Sequence, residues 1–135
     1  SGKKVLQRGS SPKFQVLNTA LMTAQSQRSL KEAEKDREYW GRLVESAVGA
    51  HLQNGTAGTT MELFYWRDRG REVDFVLGSG ERVVAIEVKS GRARTEFPGM
   101  EAFGKSFHPT RKLLVGGQGI SLKEFLSTPI SHWVE

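Results

Sequence analysis

Residues 72–89, EVDFVLGSGERVVAIEVK, constrain this chain more than any other stretch. Two β-rich runs flank the turn signal Gly78-Ser79-Gly80, so residues 72–77 and 82–89 are expected to pair as antiparallel strands. Placing Leu77 opposite Arg82 sets Asp74 opposite Ala85. Side chains alternate between the faces of a strand, so Asp74, Glu87 and Lys89 then share one face. Val73, Phe75, Val84, Ile86 and Val88 line the other. A one-residue slip would send the second strand's apolar row to the wrong face, which favours this register. Asp74 and Glu87 become diagonal neighbours, roughly 7 Å apart at the backbone. Two carboxylates at that spacing can hold one divalent cation.

A chain of 135 residues with 37% hydrophobic composition fits one domain around one core. Cysteine is absent, which excludes a disulfide framework, a thiol nucleophile and a cysteine-based zinc site. His51, His108 and His132 have no metal-ligand spacing. No apolar run approaches the roughly 20 residues that span a bilayer, and the polar opening lacks the apolar core of a signal peptide. The expectation is a soluble, cytoplasmic protein without membrane association. The opening Ser-Gly-Lys-Lys reads as a cloning remnant, and the chain as a fragment of a longer one.

Lys and Arg number 20 against 15 acids, giving a net charge of +5 and a pI near 9.7. DNA is a natural partner for such a surplus, with Arg67, Arg69, Arg71, Arg92 and Arg94 beside the hairpin as candidate phosphate contacts. An ordinary solvated basic surface accounts for the same surplus equally well.

Residues 1–13, rich in Gly, Ser and Lys, read as a flexible lead-in before a single domain at 14–135. Residues 13–17 suggest a short extended piece. Ser29 with Glu32 has capping-box spacing, although a helix start nearer Asp36 fits as well. The clear helix carries Trp40, Leu43, Val44, Ala47, Val48 and His51 at offsets of three and four, with Asn54-Gly55 as its stop. Glu45 lies at the border of that apolar stripe. Residues 61–67 read as a strand, and Asp68-Arg69-Gly70 turns the chain into the hairpin. A helix is expected over 98–107 with Pro98 in its first turn, then a buried strand over 112–115. Ser121 and Glu124 cap a last short helix ending near Leu126. The Gly116 to Gly119 stretch reads as a plain turn, since it lacks the lysine and spacing of a phosphate-binding loop. The order αβββαβα implies an α/β fold, a mixed sheet flanked by helices.

A charged strand face is commonly just solvated, so the Glu87-Val88-Lys89 triplet alone says little. Asp74 on the same face and Glu45 on the preceding helix strengthen it. Carboxylates bind Mg²⁺ or Mn²⁺, the ion polarises a phosphate oxygen and acidifies its water, and an ammonium beside it steadies developing charge. The ordered set Glu45, Asp74, Glu87-Val88-Lys89 resembles the PD-(D/E)XK nuclease superfamily. Across nearly the whole chain it is similar to the C-terminal domain of unknown function of prokaryotic AAA-type ATPases. That similarity is carried by Pro12-Lys13-Phe14, Asn18-Thr19-Ala20-Leu21, Gly41-Arg42-Leu43-Val44-Glu45, Tyr65-Trp66-Arg67, Arg71 to Phe75, Ile86 to Ser90 and Leu114-Val115-Gly116.

The resemblance implies a restriction endonuclease-like αβββαβ core at the end of an ATPase whose own machinery lies upstream. Asp74 and Glu87, with the Val88 carbonyl, would then hold Mg²⁺ or Mn²⁺. Lys89 would be the catalytic lysine, and Glu45 the helix acid that joins the metal or water network. Val73 stands where the superfamily's name has proline. The implied activity is metal-dependent DNA cleavage; the alternative is a catalytically silent module that docks DNA or a protein partner.

Overall fold

The computed structural model describes residues 6–8, 36–89 and 97–135. Its elements are β1 (Leu6–Arg8), α1 (Arg37–Thr56), β2 (Glu62–Asp68), β3 (Arg71–Ser79), β4 (Arg82–Val88), α2 (Pro98–Phe107), β5 (Arg111–Val115), α3 (Leu122–Ser127) and a closing 3₁₀ turn (Ile130–Val134). The strands form one sheet in the order β1-β2-β3-β4-β5. The first four pair antiparallel, and β5 joins β4 in parallel after the α2 crossover. The fold is therefore α/β with a mixed sheet flanked by helices, as the element order implied.

Each face of the sheet buries its own apolar cluster. On one side α1, α3 and the 3₁₀ turn contribute Val48, Leu52, Phe125, Ile130 and Trp133, packed with Phe75, Leu77, Val84 and Ile86. On the other, α2 contributes Met100 and Phe103 against Trp66, Val73, Val76 and Ala85. The ends of the helices are set locally. The Asp36 carboxylate accepts the Tyr39 N–H at 3.1 Å to start α1, and Ser121 Oγ accepts from Glu124 N–H at 3.1 Å to start α3. Pro98 opens α2 where its missing N–H costs nothing, and His108 closes it in the left-handed region at φ 49°.

Four expectations are corrected here. Helix α1 runs through Asn54-Gly55 to Thr56 instead of stopping there. Gly55 serves close packing, because a Cβ at that position would overlap the Ile130 side chain. Residues 6–8, expected in the lead-in, form an edge strand against Phe64, Tyr65 and Trp66. A three-residue strand carries no periodicity of its own; its pairing comes from the neighbouring edge.

The hairpin between β3 and β4 is tighter than expected. Ser79 pairs with Arg82 and Leu77 with Val84, leaving a two-residue loop, Gly80-Glu81, with Gly80 at φ 63°. Such loops match the twist of paired strands better than longer ones. Gly78 stays inside the strand, where the Phe64 ring lies over it, 3.5 Å from where a Cβ would stand. The shift from the expected register is two residues, an even number, so the faces of β4 are kept.

The assignment of Val73 to the face of Phe75 is also overturned. Phe64 pairs with Val76 but Trp66 with Val73, so β3 uses three steps where β2 uses two. This bulge at Asp74-Phe75 reverses the alternation, and Val73 joins the α2 cluster while Phe75 joins the α1 cluster. Residues 13–17, Ser29 with Glu32, Arg92 and Arg94 lie outside the described residues.

Candidate functional site

The ladder between β3 and β4 runs from Ser79↔Arg82 to Phe75↔Ile86. One step further stand Asp74 and Glu87. Continued by that one step, the register sets them opposite each other and not on the expected diagonal, because the hairpin loop is two residues shorter, and their side chains share a hydrogen bond. The bulge frees the Asp74 carboxylate from the regular row, and its Oδ2 accepts the Val88 N–H at 2.8 Å. The N–H and C=O of one strand residue leave by the same edge, so the Val88 carbonyl faces this opening as well.

Asp74 and Glu87 share a hydrogen bond, and the Glu87 carboxyl is pushed up from 4.5 to about 8. Burial is the largest cause, followed by the negative charge of Asp74 and the hydrogen bond with it; Lys89 pulls the other way and Glu72 adds slightly. At neutral pH the pair holds a proton that two well-solvated carboxylates would have lost. This is the electrostatic signature of hard oxygen donors crowded together, and a divalent cation would relieve the same repulsion. The donor set fits Mg²⁺ or Mn²⁺ on that ground. Among the described residues no three His, Cys, Asp or Glu side chains form one ion-holding group, so the ligands here reduce to two carboxylates and the Val88 carbonyl.

A cavity of about 410 Å³ opens over these groups. Helix α1 supplies Glu45 to its wall, half-buried at the border of the apolar stripe. Strand β3 supplies Arg71 and Glu72 beside Asp74, β4 supplies Glu87, and Lys89 follows directly after the end of β4. Phe97, Pro98 and Gly99, at the start of α2, complete it. Gly99 is required: a Cβ there would overlap the Glu72 carbonyl oxygen, so the helix start lies directly on the backbone of β3.

All four polar residues expected to share a site, Glu45, Asp74, Glu87 and Lys89, thus line one cavity. Of the candidate phosphate contacts, Arg71 lines it as well. Arg67 is engaged by Glu72 at 3.2 Å on the surface, a pair that contributes little to stability. Arg69 sits exposed in the β2–β3 turn at φ 52°. Reading the sequence missed Glu72 and Phe97. Glu72 follows from the bulge, which no local pattern announces; Phe97 stands at the N-cap of α2, and only its neighbour Pro98, a helix-start residue, hinted that a helix N-terminus would stand nearby.

Among the described residues no helix is long and apolar enough to cross a membrane. No curated protein and no solved structure matches the chain. The family model described as Domain of unknown function (DUF4143) matches residues 40–127. That span runs from the start of α1 to the end of α3 and includes every residue of the cavity, and the chain belongs to this family.

Proposed function

We propose that this domain is a metal-dependent phosphodiesterase of PD-(D/E)XK type acting on DNA, and that in its full-length protein it follows an AAA-type ATPase. One observation carries the reading: Asp74 and Glu87, joined by a hydrogen bond that helps push the Glu87 carboxyl up to about 8, line one cavity with Lys89 and Arg71. Packing like charges together is costly unless a proton or cation offsets it. Asp74, Glu87 and the Val88 carbonyl would hold Mg²⁺ or Mn²⁺, which when bound supplies charge neutralisation at the phosphate and a more acidic water.

The chain's own groups have distinct tasks. Arg71 draws the phosphate into the cavity and orients it. Lys89 steadies the attacking water and then the negative charge on the phosphoryl oxygens as the new P–O bond forms and the bond to the sugar oxygen breaks. Glu45, brought to the cavity by α1, orders water within it.

Lys89→Ala is expected to lower cleavage by roughly 10² to 10³ while DNA affinity stays close to wild type, because the contact strengthens in the transition state. The assay is cutting of linear, branched and single-stranded DNA with Mg²⁺ or Mn²⁺ by wild type and by the Asp74→Ala, Glu87→Ala and Lys89→Ala variants. If wild type cuts none of them, or the variants keep pace with it, catalysis is excluded and a docking module for DNA or a protein remains.

A further inference from the structure

The Lys89 ammonium lies 5.7 Å from the centroid of the Phe97 ring, within the range of a cation–π contact. Lys89 has little other freedom at its base. Its N–H donates to the Val115 carbonyl at 2.8 Å. Gly116, at φ 85°, packs so closely that a Cβ would overlap the Lys89 carbonyl oxygen, and a Cβ at Gly117 would stand 3.5 Å from the Lys89 Cβ. The loop after β5 therefore fixes the lysine's backbone, and what remains open is the direction of its long, flexible side chain. Phe97 lies at the end of that reach and is itself held, packed against the α2 cluster and placed just ahead of Pro98.

We propose that Phe97 is a positioning residue for Lys89: its ring face holds the ammonium inside the cavity beside Asp74 and Glu87. This rests on the nuclease reading above. An ammonium next to the negatively charged Asp74–Glu87 pair would otherwise collapse onto it as an ion pair, blocking the oxygens a cation must reach. The ring offers a competing site of weaker attraction and fixed direction. The role needs the electron-rich face of the ring and not only its bulk, and that separates it from packing.

The test replaces Phe97 by Leu, by Tyr and by a series of progressively fluorinated phenylalanines, which keep the ring's shape while weakening its face. Cleavage kcat is expected to fall roughly three- to thirtyfold in Phe97→Leu and stepwise along the fluorinated series. Phe97→Tyr is expected to retain the rate, and KM for DNA to stay unchanged throughout. In parallel, the Lys89 side-chain methylene resonances next to the ammonium are expected upfield in the wild-type NMR spectrum from the ring current, and to lose that shift in Phe97→Leu. A wild-type rate in Phe97→Leu, equal losses in Leu and Tyr, or a Lys89 shift indifferent to residue 97 overturns the positioning role alone. A wild type that cuts no DNA refutes the nuclease reading, and the positioning role goes with it.

Discussion

In the metal-free protein Glu87 makes stability fall as pH rises, the reverse of the usual carboxylate effect. Its carboxyl titrates at about 8 in the fold against 4.5 ordinarily, chiefly because it is buried and faces Asp74. The folded state therefore binds its proton more tightly than the unfolded chain. The contribution is fully present below pH 4.5 and is lost progressively as pH rises towards about 8. At about 1.36 kcal/mol per pH unit, the whole interval corresponds to roughly 5 kcal/mol. The open side of the cavity lets water screen the pair, and about 2 kcal/mol is the better expectation. The upper titration belongs to the Asp74–Glu87 pair jointly, since each carboxyl senses the other.

Glu87→Gln keeps the shape and removes the charge. Urea unfolding followed by the fluorescence of the buried Trp66 and Trp133, in EDTA at intervals from pH 4.5 to 9, gives the comparison. Acids other than Asp74 titrate alike in both proteins and cancel in the difference, which therefore reports the Asp74–Glu87 pair. The two are expected to converge near pH 4.5 and separate to about 2 kcal/mol by pH 9, with the Gln variant the more stable. Curves that run parallel over this interval, or a Glu87 carboxyl resonance that titrates near its ordinary value, refute the shared-proton arrangement.

Other outcomes follow from the same geometry. Mn²⁺ uptake at pH 7 is expected to release close to one proton per ion in wild type and none in Glu87→Gln, read by titration calorimetry in buffers of different ionisation enthalpy. DNA affinity is expected to fall with salt at about −0.9 per phosphate contact on duplex, and Arg71→Ala to lower that slope by about one; an unchanged slope removes Arg71 from the interface. Phe103, fully buried and stacked on Phe107 at 4.5 Å, is expected to cost about 3–5 kcal/mol in urea unfolding when replaced by Ala. Gly99→Ala drives a methyl into the Glu72 carbonyl and is expected to cost about 1–3 kcal/mol by the same measurement.

The sequence made the elements legible where local chemistry decides them. Pro98, Ser121 with Glu124 and the alternation in β4 each act within a few residues, and the helices and strand they predict stand where expected. What escaped was decided across the sheet. The hairpin register depended on Gly78 remaining in its strand beneath Phe64, an interaction with a residue on another strand. The end of α1 depended on Ile130, seventy-five positions after Gly55. The shared face of Glu87 and Lys89 survived these errors because the register was wrong by an even number of residues, and parity alone sets the face of a strand. Asp74 was placed correctly with them although the reason was incomplete, since it is the bulge and not simple alternation that turns its carboxylate to Val88.

That bulge explains how the fold tolerates the site. Two carboxyl groups directly opposite on paired strands repel, and an unbroken ladder would hold them at a spacing fixed by the backbone. Here the ladder ends at Phe75↔Ile86, and the freed Val88 N–H takes Asp74 as its acceptor, so a backbone donor is satisfied by the same irregularity that brings the acids together. The apolar clusters on both faces reach up to this point: Phe75 and Ile86 on the α1 side, Val73 and Ala85 on the α2 side. Well-packed neighbours on either face therefore hold the opening in place while its polar groups remain poorly matched without a proton or a cation. Stability is carried by the sheet centre and the two clusters; the unfavourable electrostatics are confined to the frayed end, where β3, β4 and the start of α2 meet around the cavity.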